Sequence, residues 1–357
     1  MRSLLESIHV FLGGIPYRWL FLFVFSFFLA FFLTLAVRRI AKKFKILDHP
    51  EERKIHAAPI PLLGGLAIYI AYVVTIFLNF SFSVELKGVV LGGTVILLVG
   101  LIDDIKELSA VWKLVAQVLA TSILIFYGVR LSFLPNNWWG ITGEVILTLL
   151  WVVGITNAVN FFDGMDGLAT GAIAIGSVSF FVVAMMTGQP YLSYITIALA
   201  GSCLGFLIFN FKPASIFLGD AGSTFLGFTV AGIAVMGGWA QDNPKVALSL
   251  PILILSVFIF DMIYITISRI YRGRVRNFRE WLEYTGKDHL HHRLKALGLT
   301  ETQAVLFIYL IAACLGISGI HLRANGNLVI FLEILQGVLI FAIIVILMRT
   351  GRKLAKK

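Results

Sequence analysis

Between Trp19 and Val37 the chain carries no charged side chain, and Val246–Phe260 is equally bare. An apolar run of about 18 residues or more is long enough to cross the hydrocarbon core of a bilayer as a helix. Lipid offers no hydrogen bonds, so a spanning segment must satisfy its own backbone, as a helix or within a closed barrel. Runs of this length exceed a barrel strand of about 9–11 residues. The pattern repeats, giving eleven candidate spans near 19–37, 62–80, 86–102, 111–127, 143–158, 168–187, 191–210, 222–238, 246–268, 304–320 and 329–348. The expected fold class is all-α: a polytopic integral membrane protein of about eleven transmembrane helices, in one domain over 1–357. Only 13% of the residues are charged, about half the roughly 25% usual in soluble domains, which excludes an ordinary soluble fold.

The Trp19–Val37 run exceeds the core of a signal peptide and is followed by Arg38-Arg39 instead of small residues, so it is expected to stay as the first span. Cys203 and Cys314 lie inside apolar runs and are expected to be small buried hydrophobes, with no disulfide framework or zinc site. Orientation follows from lysine and arginine. With the N-terminus outside, segments 38–61, 103–113, 211–222, 269–303 and 349–357 face the cytoplasm and hold 23 of the 29 basic residues. The other 6 (Arg2, Arg18, Lys87, Arg130, Lys245 and Arg323) fall outside. The N-terminus is therefore expected outside and the C-terminus in the cytoplasm. The net charge of +10 follows from this topology and from attraction to anionic membrane lipids, and requires no nucleic acid as partner.

Five polar segments fall on the cytoplasmic side of this scheme: Arg53–Gly65, Gly100–Lys113, Asn157–Gly167, Ile216–Ser223 and Lys287–Leu294. They place the expected active-site loops at 38–61, 103–113, 157–167, 211–223 and 269–303. Asp103-Asp104 directly follows an apolar run, and two adjacent carboxylates near hydrocarbon are costly unless a cation or a role compensates. The plainer alternative is a solvated helix end balanced by Lys106. Asn157, Asn160, Asp163 and Asp166 recur every three residues, near one face of a helix, with Gly164 and Gly167 breaking it. Such amides and carboxylates suit a hard, oxygen-liganded cation, although an ordinary polar turn uses the same residues.

Asp220 lies between glycines in Leu218–Ser223. Magnesium takes one or two protein oxygens and completes its shell with phosphate oxygens and water. Asp220 with Asn160, or with Asp163 or Asp166, would supply that. His289, His291 and His292 accompany Lys287 and Arg293 in the most basic loop, with no cysteine beside them, so imidazoles donating to phosphate fit better than zinc. Carboxylates for Mg2+ joined to Lys, Arg and His donors form a pattern for phosphoryl transfer. No GxxxxGK[ST] segment is present, so no Walker loop holds the phosphate. An aqueous site on membrane helix ends implies one lipid substrate and one soluble substrate.

Together these motifs resemble the polyprenyl-phosphate N-acetylhexosamine-1-phosphate transferases, an integral-membrane family that starts bacterial cell-envelope glycan synthesis. The resemblance runs from about Arg53 to Arg293 and rests on the aspartate pair, NAVNFFDGMDG, FLGDAGS and HLHH in that order. It implies attack of undecaprenyl phosphate on the β-phosphorus of a UDP-N-acetylhexosamine, releasing UMP, at the cytoplasmic face of the bacterial inner membrane. It further implies Asp220 as the main Mg2+ ligand (Mn2+ being the alternative ion), with Asn160 as a second. Asp103, Asp104 and Lys113 match residues near the acceptor phosphate, and Phe217 matches an aromatic that stacks on uracil. Asn157, Asp163 and Asp166 fall in the nucleotide-site motif, and His289, His291, His292 and Arg293 in the motif near the nucleotide-sugar phosphates. Leu290 interrupts the histidines, which resembles the branch using UDP-GlcNAc for teichoic acid, O-antigen or common antigen; three consecutive histidines would indicate phospho-MurNAc-pentapeptide transferase. A homodimer is one assembly such a chain could adopt.

Intramembrane acids also mark secondary transporters, whose sites lie near the bilayer midplane. Here the acids gather at helix ends, except Asp261, for which Arg269 is the expected partner. A uridine-binding or lipid-scaffold protein without catalysis would not need Asp103, Asp104 and Asp220 together.

Overall fold

The computed structural model describes residues 17–49, 58–79, 83–240, 243–277, 280–281, 284, 286, 288–322 and 327–354. Arg2, Arg53, Lys287 and Arg323, named above, lie outside the described residues. The chain is a bundle of helices in this order: α1 (Arg18–Lys43), α2 (Gly64–Asn79), α3 (Val84–Lys106), α4 (Ala110–Phe126), α5 (Trp138–Phe162), α6 (Leu168–Met186), α7 (Pro190–Asn210), α8 (Gly219–Met236), α9 (Pro244–Ile254), α10 (Ser256–Tyr271), α11 (Leu290–Ala296), α12 (Glu301–Leu322) and α13 (Asn327–Leu354). A two-stranded antiparallel ribbon joins α1 to α2, with β1 (Leu47–Asp48) pairing with β2 (Ile60–Pro61).

Each of the eleven apolar runs is helical. Among the described residues eight helices are long and apolar enough to cross a membrane, and α9 with α10 forms a ninth candidate bent by 75°. α2 and α4 are shorter apolar helices. The fold is thus an all-α polytopic membrane protein. The run at 246–268 is not one straight span: it breaks at Leu255, where Ser256 Oγ donates to the Leu253 carbonyl at 2.6 Å.

Packing sorts the helices by side-chain size. α8 lies between α3 and α5 and is the most enclosed span, whereas α13 is the least. Glycine and alanine along α8 admit close neighbours, and in lipid such close packing replaces the hydrophobic drive that holds soluble helices together. The broad apolar faces of α1 and α13 stay exposed, as expected of surfaces that meet lipid. Cys203 is buried on α7, but Cys314 is exposed, correcting the expectation that both pack inside. Cys314 lies on the outer face of α12, where a small apolar residue serves lipid as well as core.

Candidate active site

Alternate helix ends place the polar motifs at one end of the bundle. α3 finishes with Asp103, Asp104 and Lys106, α4 begins after three intervening residues, α5 finishes beside Asp163, and α8 begins with Gly219-Asp220. The aspartate pair belongs to the last turn of α3, and its counter-charge is Lys113, not Lys106. Lys113 Nζ lies 2.9 Å from Asp103 Oδ2 and 3.1 Å from Asp220 Oδ2, tying α3, α4 and α8 together. Asp103 Oδ1 also accepts from Leu108 N at 2.6 Å, closing the turn into α4.

Asp220 does not sit in a glycine loop. It occupies the first turn of α8, whose cap comes from a different helix. Asp104 Oδ1 accepts from Asp220 N at 2.7 Å and Oδ2 from Ala221 N at 3.3 Å. A carboxylate on a helix N-terminus satisfies orphan amides and meets the positive end of the macrodipole, worth up to about 2 kcal/mol when partly buried. The arrangement needs close approach. A Cβ on Gly65 would lie 2.1 Å from the Gly222 Cα, and Gly219, at φ +76, meets the Asp104 carboxylate directly. The backbone of Phe217 is pinned on both sides, its N–H donating to Pro61 O at 2.8 Å and its carbonyl accepting from Gly64 N at 3.0 Å.

Asn160 Nδ2 donates to Asp220 Oδ1 at 3.0 Å and to Ser223 Oγ at 2.9 Å. Asn157, one turn earlier on α5, faces another way: its amide exchanges hydrogen bonds of 2.6 and 3.3 Å with Gln117. The four-residue polar face read from the sequence is therefore split. α5 ends at Phe162, Asp163 caps it, and Asp166 in the following loop accepts through Oδ2 from Ala214 N, in the α7–α8 connection, at 3.0 Å.

The carboxylates among these residues border a cleft of about 650 Å³, whose lining does not include Lys113, Asn157 or Asn160. Asp103, Asp104, Asp163, Asp166 and Asp220 line it, with Phe217 and His292. Lys212 and Glu301, also on its wall, form an ion pair that the sequence reading missed. Burial pushes the Asp163 carboxyl up to about 8, reinforced by the charges of Asp220, Asp104 and Asp166. Among the described residues no three His, Cys, Asp or Glu side chains are arranged to enclose an ion. Crowded carboxylates with a single lysine between two of them nevertheless suit a cation that keeps most of its shell for phosphate and water.

The histidine segment is placed by α10. Asp261 is buried and accepts from Leu290 N at 2.7 Å, with His289 Nδ1 at 2.7 Å from its other oxygen. Arg269 takes Asp288 bidentately at 2.7 and 3.0 Å, so the expected Asp261–Arg269 pair is replaced by two parallel ties to this segment. Burial opposes ionisation of Asp288, but the hydrogen bonds and charge of Arg269, with His289 and Arg293 nearby, hold its carboxyl below the usual range. His291 is buried against Gly164 and edge-on to Phe162, with neither ring nitrogen hydrogen-bonded. Burial, then the neighbouring His292 and His289, hold it well below the usual imidazole range, so it is neutral. Arg293 turns away from the cleft toward Tyr264 and Ser268.

Membrane-crossing helices whose ends converge on clustered carboxylates, a lysine and a histidine segment define an integral-membrane enzyme of phosphate chemistry. Residues 86–238 match glycosyl transferase family 4. A Bacillus subtilis protein named "Probable undecaprenyl-phosphate N-acetylglucosaminyl 1-phosphate transferase" is 34% identical over 85% of this chain and 84% of its own. The chain belongs to the polyprenyl-phosphate N-acetylhexosamine-1-phosphate transferases of that family. It is also similar to the decaprenyl-phosphate N-acetylglucosaminephosphotransferase of Mycobacterium leprae (34% identity, 79% of this chain and 78% of that one). The undecaprenyl-phosphate alpha-N-acetylglucosaminyl 1-phosphate transferase of Escherichia coli K12 is 26% identical over the same shares.

Proposed function

We propose that the cleft transfers N-acetylglucosamine 1-phosphate from UDP-GlcNAc to undecaprenyl phosphate, with Mg2+, at the cytoplasmic face of the bacterial inner membrane. Transfer of N-acetylglucosamine 1-phosphate to a polyprenyl phosphate accords with family membership; the nucleotide donor, the metal, the leaflet and the membrane are the proposal. The observation that carries it is Asp220, which Lys113, Asn160 and Asp104 hold at the head of α8 and which lines the cleft at one end of the bundle.

An oxygen of the acceptor phosphate attacks the β-phosphorus of the donor, and the bond from that phosphorus to the bridging oxygen breaks, so UMP leaves. The acceptor is a phosphate monoester already ionised near neutrality, so its attack needs orientation and charge screening more than a base. Lys113 supplies a cation at that point, and Asp103 and Asp220 hold its ammonium in place. Asp220, with Asn160 beside it, would hold Mg2+, which supplies charge neutralisation for the phosphates when bound. Phe217 offers an aromatic surface for the base, and His292, also on the cleft lining, an imidazole for the phosphates.

UMP release from radiolabelled UDP-GlcNAc tests the reading, with the expectation that it requires both polyprenyl phosphate and a divalent cation. Release without the lipid, or with UDP-MurNAc-pentapeptide in place of UDP-GlcNAc, would redirect it. For the leaflet, a cysteine placed at Lys295 should resist an impermeant reagent in intact cells, and one at Asn136 should label.

A further inference from the structure

Of the described residues lining the catalytic cleft, eight are Asp or Glu and one, Lys212, is a lysine or arginine. A nucleoside diphosphate-sugar, the donor proposed above, is itself an anion and enters against that charge. The one lysine on the lining is engaged with a carboxylate instead: Lys212 Nζ pairs with Glu301 Oε2, at the start of α12. Glu301 has a second cation, because its Oε1 takes Lys295 from the last turn of α11. It also stands in the first turn of α12, at the positive end of that helix. Withdrawal of Lys212 therefore leaves Glu301 paired, and the exchange costs little.

The backbone that presents Lys212 is tied down, and its side chain is long and jointed. In the α7–α8 connection Ser215 N donates to Phe209 O at 2.8 Å, Ala214 N to Asp166 Oδ2 at 3.0 Å and Asn210 Nδ2 to Ile216 O at 3.1 Å. From that frame a flexible four-carbon stem carries the ammonium, with 38% of the side chain exposed. Phe217, five residues further on, lines the cleft from the same connection, whereas Asp103 and Lys113 come from α3 and α4. Lys212 thus belongs to the side proposed for the nucleotide. We infer that Lys212 binds the diphosphate of the nucleotide-sugar, leaving Glu301 to Lys295 as the donor enters. Glu301 is then its resting partner and a competitor of the donor. The inference rests on the nucleotide-sugar reading of the cleft.

Calorimetry on the purified full chain in detergent, without the lipid acceptor, compares UDP with uridine. Lys212→Ala should weaken UDP binding about tenfold, the loss of one charge-assisted phosphate contact, and leave uridine unchanged. Lys212→Arg should keep most of the UDP affinity. Glu301→Gln should act in the opposite direction, tightening UDP about threefold, because the lysine no longer has a carboxylate to leave. A brace that only holds the wall would weaken UDP and uridine alike when either partner is lost. That result, or UDP binding unchanged in Lys212→Ala, or weaker in Glu301→Gln, overturns the inference. In transfer assays Lys212→Ala should raise KM for UDP-GlcNAc and not for polyprenyl phosphate; the reverse would give the lysine to the acceptor and equally overturn it. Wild type binding neither UDP nor uridine would defeat the donor reading itself, whereas wild type binding both with no effect of Lys212→Ala defeats this inference alone.

Discussion

Two aspartates carry the sharpest expectations at the scale of single residues. Asp220 receives Lys113 and Asn160 while its own amide is capped by Asp104, so replacing it with asparagine keeps the shape and removes the charge. Asp220→Asn should cost about a thousandfold in turnover, roughly 4 kcal/mol of transition-state stabilisation, with expression and membrane insertion intact. Wild-type turnover by that variant at low Mg2+ would remove Asp220 from the metal site. Asp163 has the opposite character. Its carboxyl is raised to about 8 by burial and by its acidic neighbours, so the folded protein prefers it protonated. A raised carboxyl favours the fold at low pH and loses that contribution as pH rises from about 4 in the unfolded chain to about 8 in the folded one. In detergent with chelator, Asp163→Asn should therefore gain Tm relative to wild type across that window and level off above it. A constant difference from pH 5 to 9 would show that Asp163 is ionised throughout.

At the scale of elements, α10 matters more than its apolar sequence suggests. Asp261 and Arg269, two turns apart on its buried face, fix the histidine segment by separate ties. Asp261→Asn can still accept from Leu290 N through one oxygen but loses the carboxylate facing His289. It should raise KM for the nucleotide-sugar about tenfold, the loss of one charge-assisted hydrogen bond, with KM for polyprenyl phosphate unchanged. Parallel rises in both would indicate general loosening instead. The apolar runs of these helices were legible because span length and hydropathy are local properties. What escaped was contributed across the fold. Asp220 was legible as a carboxylate between glycines, but not as part of a helix; only Asp104, arriving from α3, makes that stretch a capped helix start. Period-three spacing grouped Asn157 with Asp166, but spacing alone does not locate the end of α5 or show that Gln117 claims Asn157. Lys212 and Glu301 are far apart in sequence and carried no motif to join them.

At the scale of the whole molecule, the site has a lipid side and an aqueous side, and the two should separate kinetically. Lys113 starts α4 next to the exposed apolar side chains Val111, Trp112 and Val115, and Asp103-Asp104 ends α3 beside exposed Ile102 and Ile105. A lipid-borne phosphate sliding along those faces reaches Lys113 first. Phe217 and His292 line the cleft from the α7–α8 connection and from α11, among loops outside the spans, where the proposed nucleotide-sugar donor would enter. Lys113→Ala removes a charge-assisted phosphate contact, worth about 1.5–3 kcal/mol, and should raise KM for polyprenyl phosphate at least about tenfold. Its KM for the nucleotide-sugar should move much less. Phe217→Ala and His292→Ala should show the reverse, and Phe217→Ala should also weaken binding of uridine itself, measured by calorimetry without the lipid. Loss of the lysine also leaves Asp103 and Asp220 without their shared cation, so some fall in kcat is expected for that variant alone. Varying each substrate in turn in one detergent supplies the comparison. If all three substitutions changed both KM values alike, lipid and nucleotide would share one undivided surface, and the separation of the two approaches would have to be abandoned.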